Sequence, residues 1–189
     1  DTVREFFNCV SYTMIMNSLF QLERRELFYS GSNIYGFNQL AIQAGFIEKS
    51  IMLTDRHKFS IEEKFYNKFD TEIIDTANLI SLEIQKQPLT DVFNRIFEDC
   101  YLTGKKGEWL GQFLTPNRLS EAICRFVGWE KNIKYNVGDI CAGTGSLLFP
   151  LLREIYSKEG FEGVQKIKLI YNDIDSLMAQ LFMAQILTN

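Results

Sequence analysis

Apolar residues recur at intervals of three and four along the first hundred positions, a spacing that predicts amphipathic helices. The first predicted helix runs from Thr2 to about Leu27, and a weaker helical pattern covers residues 38–52 beyond a turn-like segment at 29–33. The apolar stripe of the first helix consists of Val3, Phe6, Phe7, Val10, Ile15, Leu19 and Leu22.

A third helix is predicted to begin at Ser60, because Ser60 and Glu63 have the spacing of a capping box. Its pattern allows a joint at residues 70–71, and Pro88 should end it. The stripe consists of Phe65, Phe69, Ile73, Ala77, Ile80 and Ile84. A further helix should follow Pro88 and end near Gly104. Residues 1–103 are therefore predicted to form a helical N-terminal domain.

The pattern changes after a glycine-flanked basic loop, 104–109, which marks the predicted domain boundary. Thr115 is a good helix cap and Pro116 a good first helical residue, so a short helix should start there and stop at Gly128. The domain that begins at residue 104 is predicted to continue to the last residue, 189.

Strand and helix patterns then alternate. Residues 134–140 predict a strand, followed by a helix to about Lys158 and a loop at 160–163. Residues 167–171 predict a second strand, and a helix that is apolar nearly all round begins at Ser176. This order predicts an α/β fold with a parallel sheet, in which ligands bind at the carboxyl ends of the strands.

The segment between the first strand and its helix combines an acid, Asp139, with two glycines spaced one apart, Gly143 and Gly145. A dinucleotide fingerprint needs a small residue where this chain has Leu148, and a phosphate-binding P-loop needs a following Gly-Lys-Ser or Gly-Lys-Thr. What remains is the acid, glycine loop and helix of an S-adenosylmethionine (SAM) site. A plain strand-to-helix turn is the alternative hypothesis.

Asp173 and Ile174 follow the second strand and fit the nucleoside half of SAM. A carboxylate there can accept hydrogen bonds from both ribose hydroxyls, and an apolar neighbour can pack on the adenine ring. The alternative is that residues 173–175 form an acidic turn that caps the next helix, which suits Asp175 better than Asp173.

Composition and charge limit the partners and the kinds of site that this chain can have. The net charge is −4 and the chain has no strongly basic block, so a nucleic-acid partner would have to be held mainly by other parts of an assembly. The four cysteines are scattered, which favours reduced thiols in the cytoplasm. The single histidine, His57, lies in a polar segment, so we predict no catalytic triad and no metal site. No membrane span or export signal is evident.

Three motifs stand in order along the second half: Gly-Gln-Phe-Leu-Thr-Pro at 111–116, Asp139 through Leu148, and Asn-Asp-Ile-Asp at 172–175. Over about residues 89–189 they resemble the DNA N6-adenine methyltransferases, especially the modification subunits of type I restriction-modification systems. The resemblance implies a helical region followed by the first part of a Rossmann-like SAM-dependent methyltransferase sheet.

The resemblance also implies roles for residues of these motifs. Phe113, Thr115 and Pro116 would lie at the cofactor edge. Asp173 and Ile174 would hold the nucleoside. The methionine end of SAM would lie against Asp139, Ala142, Gly143, Thr144 and Gly145. Three positions depart from the family pattern, in that Ile140 replaces a proline, Cys141-Ala142 replaces Ala-Cys and Ser146 replaces a glycine.

A larger departure is the lack of Asn-Pro-Pro-Tyr or Asn-Pro-Pro-Phe, the family's motif for holding the target adenine amine. The chain has prolines only at Pro88, Pro116 and Pro150. It also lacks an initiator methionine and ends within a helical pattern, so we expect an N-terminal portion of a methyltransferase that binds SAM without catalysing transfer. DNA would be reached through a specificity subunit and the C-terminal part, within a multi-subunit complex.

Two other functions stay open at the level of sequence. One is a non-catalytic SAM-binding or protein-interaction module. The other is part of a protein or RNA methyltransferase, against which the Gly-Gln-Phe-Leu-Thr-Pro segment speaks.

Overall fold

The computed structural model describes residues 2–23, 61–101, 115–127 and 136–189. The predicted helix over 38–52, the boundary loop, His57 and Phe113 lie outside these residues. The chain divides into two compact units, Asp1–Leu82 with Thr188, and Glu83–Leu187 with Asn189. The predicted boundary between residues 103 and 104 lies outside the described residues and stays a prediction.

The described residues of the first unit lie mainly in helices. Helix α1 spans Thr2–Glu23, α2 spans Glu63–Lys68, and α3 spans Asp70–Lys86, of which the last residues belong to the second unit. Two hydrogen bonds join α1 to the start of α2: the Glu62 amide donates to Glu5 at 3.1 Å, and the hydroxyls of Thr13 and Tyr66 lie 3.1 Å apart.

Burial in the first unit follows the predicted stripe in α3 and departs from it in α1, where Val3 is exposed and Phe6 and Phe7 are only partly buried. Ile73, Ala77, Ile80 and Ile84 are all buried, as the spacing predicts. Residues 9–16 of α1 are instead buried on every side, including Ser11 and Thr13. The serine and threonine hydroxyls bond to carbonyls three and four residues earlier in the helix, which lets them lie in an apolar surrounding.

Two details of the helix starts and joints differ from the prediction. Helix α2 begins at Glu63 with Glu62 as its cap residue, and no side chain caps it, so the capping box is wrong. The joint between α2 and α3 falls at Phe69, one residue before the predicted one. Helix α3 ends at Lys86, two residues before Pro88, because proline disfavours helical geometry in the residue that precedes it.

The second unit contains both helices and strands. In chain order it has helix α4 at Val92–Tyr101, helix α5 at Asn117–Val127, strand β1 at Asn136–Asp139, helix α6 at Leu148–Gln165, strand β2 at Lys168–Tyr171 and helix α7 at Ser176–Thr188. The two strands pair in parallel, with Asn136 opposite Lys168 and Asp139 opposite Tyr171. The predicted α/β class is confirmed for the residues that the structure describes.

A core of six buried side chains lies around the first turn of α6: Leu89, Ala142, Leu148, Phe149, Leu152 and Phe182. Phe182 of α7 meets the edges of two other rings, with its centroid 5.5 Å from that of Phe149 and 4.6 Å from that of Tyr171. Edge-to-face contacts of this kind add to the stabilisation from burial. The core therefore fixes α6 and α7 against the end of β2.

The predicted loop at 160–163 is wrong. Helical structure continues to Gln165 across a kink at Gly160, which has a φ of 68° and a ψ of −164°. Glycine adopts this backbone conformation without a steric penalty, so it bends the helix where the sequence pattern predicted an end.

Helix α5 starts at Asn117, one residue later than predicted, and the carbonyl of Pro116 accepts hydrogen bonds from the amides of Leu119 and Ser120. The apolar residues of this helix, Leu119, Ile123, Phe126 and Val127, are exposed. None of the helices in the described ranges is long and apolar enough to cross a membrane.

Candidate functional site at the carboxyl ends of the strands

The loops that follow the two strands are bonded to each other directly. The Asn172 amide donates to the carbonyl of Asp139 at 2.9 Å, and the Ala142 amide donates to the carbonyl of Asn172 at 3.0 Å. These bonds extend the pairing of the parallel strands beyond their ends. The two predicted halves of the site therefore lie side by side at one edge of the sheet.

Gly143 and Asp173 form the closest link between these halves. The amide of Gly143 donates to Oδ2 of Asp173 at 2.8 Å, and Gly143 has a φ of 53°. A positive φ turns the amide toward the second strand at little cost in glycine, whereas most other residues would be strained there. The glycine loop and the acid after β2 thus meet as the sequence predicts.

The two carboxylates of the segment after β2, Asp173 and Asp175, have different hydrogen-bond partners. Asp175 caps α7 by accepting a hydrogen bond from the amide of Leu177 at 2.9 Å. Asp173 contacts the glycine loop through Oδ2, and its Oδ1 accepts from the Asp175 amide at 2.9 Å. Helix capping, the alternative considered from sequence, therefore applies to Asp175.

Gly145 is required by packing. Its φ is 101°, and a Cβ at this position would overlap the ring of Phe182 and lie 2.8 Å from Cε2 of Phe149. The two rings occupy the space that any other side chain would need. The structural reason for this glycine is therefore the fit of the loop against the aromatic core.

Thr144 and Asp139 have specific partners within the protein. Thr144 is buried, and its hydroxyl donates to Oδ2 of Asp91 at 2.8 Å. Asp139 is partly exposed, and its Oδ1 accepts a hydrogen bond from the amide of Cys141 at 3.0 Å. Ala142 is buried in the core. Any contact of a ligand with this loop therefore involves its main chain more than the Thr144 hydroxyl.

Of the remaining predicted residues, Ile174, Thr115 and Pro116 lie in the described part of the chain. Ile174 is fully exposed directly after Asp173. Thr115 is anchored to α4, because Nδ2 of Asn94 donates to its carbonyl at 2.9 Å, and Pro116 is exposed at the start of α5. Phe113 lies outside the described residues.

Sequence reasoning missed a buried polar cluster beneath the glycine loop. Asp91 is 2% exposed and its carboxylate accepts hydrogen bonds from Thr144, Ser146, Gln185 and the Asn94 amide. Burial raises the pKa of Asp91 to about 6 from an ordinary value of 3.8, although these hydrogen bonds act in the opposite direction. Burial therefore makes the ionised form of Asp91 energetically costly.

Gln185 completes the cluster from α7. Its Oε1 accepts hydrogen bonds from the amides of Val92 and Phe93 at 2.7 and 3.2 Å, and its Nε2 donates to Asp91 and to the carbonyl of Thr144. The buried side-chain amide of Gln185 therefore provides hydrogen-bond partners both for main-chain amides in the first turn of α4 and for a carbonyl of the glycine loop.

Two sequence signals could have pointed to this cluster. Asp91 precedes an apolar-periodic run, which is a typical helix-cap position. Gln185 interrupts a helix that is otherwise apolar nearly all round, and a buried amide needs hydrogen-bond partners. Neither signal identifies the partner, because Asp91 and Thr144 are 53 positions apart.

A glycine loop bonded to an acid at the carboxyl edge of parallel strands is the kind of place where α/β proteins bind small molecules. The family model described as N-6 DNA methylase matches residues 85–183, just over half of the chain. The chain therefore belongs to the N-6 DNA methylase family, and the matched range contains both strands, the glycine loop, Asp91 and Asp173. Neither the curated proteins nor the solved structures gave a match.

Proposed function

We propose that this protein binds SAM at the carboxyl edge of β1 and β2 as part of a DNA adenine-N6 methyltransferase. The observation that supports the proposal best is the hydrogen bond between the Gly143 amide and Asp173 within the range matched by the N-6 DNA methylase family. Family membership supports DNA N6-methylation in general. The cofactor, the Rossmann-like sheet and the restriction-modification setting are our further proposals.

The residues present fit the nucleoside half of SAM. Asp173 accepts one main-chain hydrogen bond on each oxygen, and an ionised carboxylate has about four acceptor positions. It can therefore accept the two ribose hydroxyls while keeping its bonds to the loop. Ile174 is fully exposed beside it and offers an apolar surface for the adenine ring.

We assign the methionine end of SAM to the other side of the same edge. Asp139, Ala142, Gly143, Thr144 and Gly145 lie on the loop after β1, and Asp139 would attract the amino group of the methionine. Phe113, Thr115 and Pro116 would close over the cofactor. Bound SAM supplies an activated methyl group, and these residues bind and orient it.

We propose that these 189 residues do not transfer the methyl group on their own. None of the three prolines, Pro88, Pro116 and Pro150, is part of an Asn-Pro-Pro-aromatic sequence, the motif that would hold the adenine amine. DNA binding would involve a specificity subunit and a C-terminal part within a cytoplasmic multi-subunit complex, in keeping with a net charge of −4. A modification subunit of a type I restriction-modification system fits this division.

Calorimetric titration with SAM tests the proposed cofactor. We expect saturable one-to-one binding by the unchanged chain and at least tenfold weaker binding by Asp173→Ala, since two charge-assisted hydrogen bonds to the ribose are lost. Asp75→Ala, at an exposed position of α3, is the matched control and should bind normally. Equal affinity in the Asp173 and Asp75 variants would overturn the assignment.

A methyl-transfer assay tests the second part of the proposal. With radiolabelled SAM and adenine-containing duplex DNA, the 189-residue chain should bind the cofactor and leave the DNA unlabelled. Labelled N6-methyladenine in the product would show that other residues of this chain hold the target base.

A further inference from the structure

A buried carboxylate lies between the helical elements and the glycine loop. Oδ2 of Asp91 accepts hydrogen bonds from the hydroxyls of Thr144 at 2.8 Å and Ser146 at 3.0 Å. Its Oδ1 accepts from Nε2 of Gln185 at 3.1 Å and from the Asn94 amide at 3.0 Å. The Asn94 bond caps α4, and the other three reach the glycine loop and α7.

Among the described residues, the groups that donate hydrogen bonds to this carboxylate are uncharged. They are the amide of Asn94 on α4, the hydroxyls of Thr144 and Ser146 on the loop, and the side-chain amide of Gln185 on α7. Burying an ion among neutral groups is costly, and a helix cap needs only one neutral acceptor. Capping α4 therefore explains one of the four hydrogen bonds and leaves the two to the loop unexplained.

We propose that Asp91 is a positioning residue of the cofactor loop, which holds Thr144 and Ser146 in place so that Gly143 meets Asp173. The inference rests on the proposed SAM site. A loop that is already held in its binding conformation loses less freedom when a ligand binds, and this increases affinity. Asp91 acts through the loop and does not itself contact the cofactor.

The first test compares SAM affinities measured by calorimetry at pH 7.5. Asp91→Asn keeps an oxygen for the α4 cap and places an amide group where Oδ2 accepted two hydroxyl protons. We expect about tenfold weaker SAM binding in Asp91→Asn, and a similar loss in Thr144→Val. The double variant should bind little worse than either single one, because both changes break the same contact. Asp75→Ala again serves as the control.

The second test measures SAM affinity as a function of pH. A purely structural role of Asp91 would not make this affinity depend on the ionisation of its carboxyl group. Protonation of Asp91 removes the anionic acceptor from the two hydroxyls, so SAM binding by the unchanged chain should weaken between pH 7.5 and pH 5. Asp91→Asn should lack this part of the dependence. Identical pH profiles in the two proteins would contradict the inference.

The third test separates this inference from the proposed cofactor, because it needs no SAM. Hydrogen exchange should be faster in Asp91→Asn at the loop amides of Gly145 and Leu148, which bond to the carbonyls of Ala142 and Gly145. Failure of the unchanged chain to bind SAM would refute the proposed function. Normal SAM binding and unchanged loop exchange in Asp91→Asn would refute the positioning role alone.

Discussion

At the scale of single residues, the two glycines of the loop serve different purposes. Gly143 has a positive φ that directs its amide at Asp173, and Gly145 leaves room for the rings of Phe149 and Phe182. The sequence motif has glycine at both positions and does not indicate that their roles differ. The structure shows that the first shapes the candidate site and that the second fits the loop to the core.

Gly145→Ala tests the packing explanation. The added methyl group meets two buried rings at a positive φ, so we expect the free energy of unfolding to fall by about 2–4 kcal/mol. Gly160→Ala is a matched control, since Gly160 also has a positive φ but has no atom within 4 Å of the added Cβ. Backbone strain alone should cost Gly160→Ala about 1–3 kcal/mol in urea unfolding, and Gly145→Ala should cost more because its Cβ also overlaps the rings. Equal losses in the two variants would contradict the packing explanation.

The raised pKa of Asp91 predicts how pH acts on stability. Between pH 3.8 and about 6 the native state binds a proton at Asp91 that the unfolded state has released, so this group adds stability as the pH falls from 7 to 4. Converted to free energy, the difference between the two pKa values is about 3 kcal/mol.

Urea unfolding of the unchanged chain and of Asp91→Asn at several pH values isolates this contribution. Other carboxylates titrate in the same range, but they are common to both proteins. The unfolding free energy of the unchanged chain minus that of the variant should rise from pH 7 to pH 4. A difference that stays constant with pH would show that Asp91 titrates normally.

At the scale of elements, the first turn of α4 connects two of the three sequence motifs. Asp91 bonds to Thr144 and Ser146 of the glycine loop, and Asn94 bonds to the carbonyl of Thr115. The sequence predicts α4 from its apolar spacing, and it predicts both motifs separately. It does not predict their junction, because hydrogen bonds between distant residues leave no periodic pattern in the chain.

Gln185→Met tests how much the α7 amide contributes to this junction. The change keeps the length of the side chain and leaves the amides of Val92 and Phe93 without their acceptor in a buried place. We expect a loss of about 3 kcal/mol or more in unfolding free energy. The same change at exposed Gln165, at the end of α6, should stay within about 0.5 kcal/mol. Similar effects of the two changes would contradict this role.

At the scale of the whole molecule, the order of helices and strands in the described residues follows from apolar periodicity and from capping and breaking residues. The α/β class, the parallel strands and the meeting of Gly143 with Asp173 all agree with prediction. The bounds of elements were less predictable, as the kink at Gly160 shows.

Burial could be predicted only in part from the same pattern. Helix α3 buries its predicted stripe, whereas α1 buries residues 9–16 on all sides and α5 exposes its apolar residues. Periodicity identifies an apolar face but not the element that covers it. The buried cluster around Asp91 escaped prediction for the same reason, since its polar residues come from three separate parts of the chain.

The central claim is that SAM binds where the glycine loop meets Asp173. The most direct measurement is a titration of the isotope-labelled chain with SAM, followed by amide chemical shifts in NMR spectra. We predict saturable shifts at Gly143 and Ile174, with the amides of α2 unchanged. Saturable shifts that spare both Gly143 and Ile174, or no shifts at millimolar SAM, would contradict the claim.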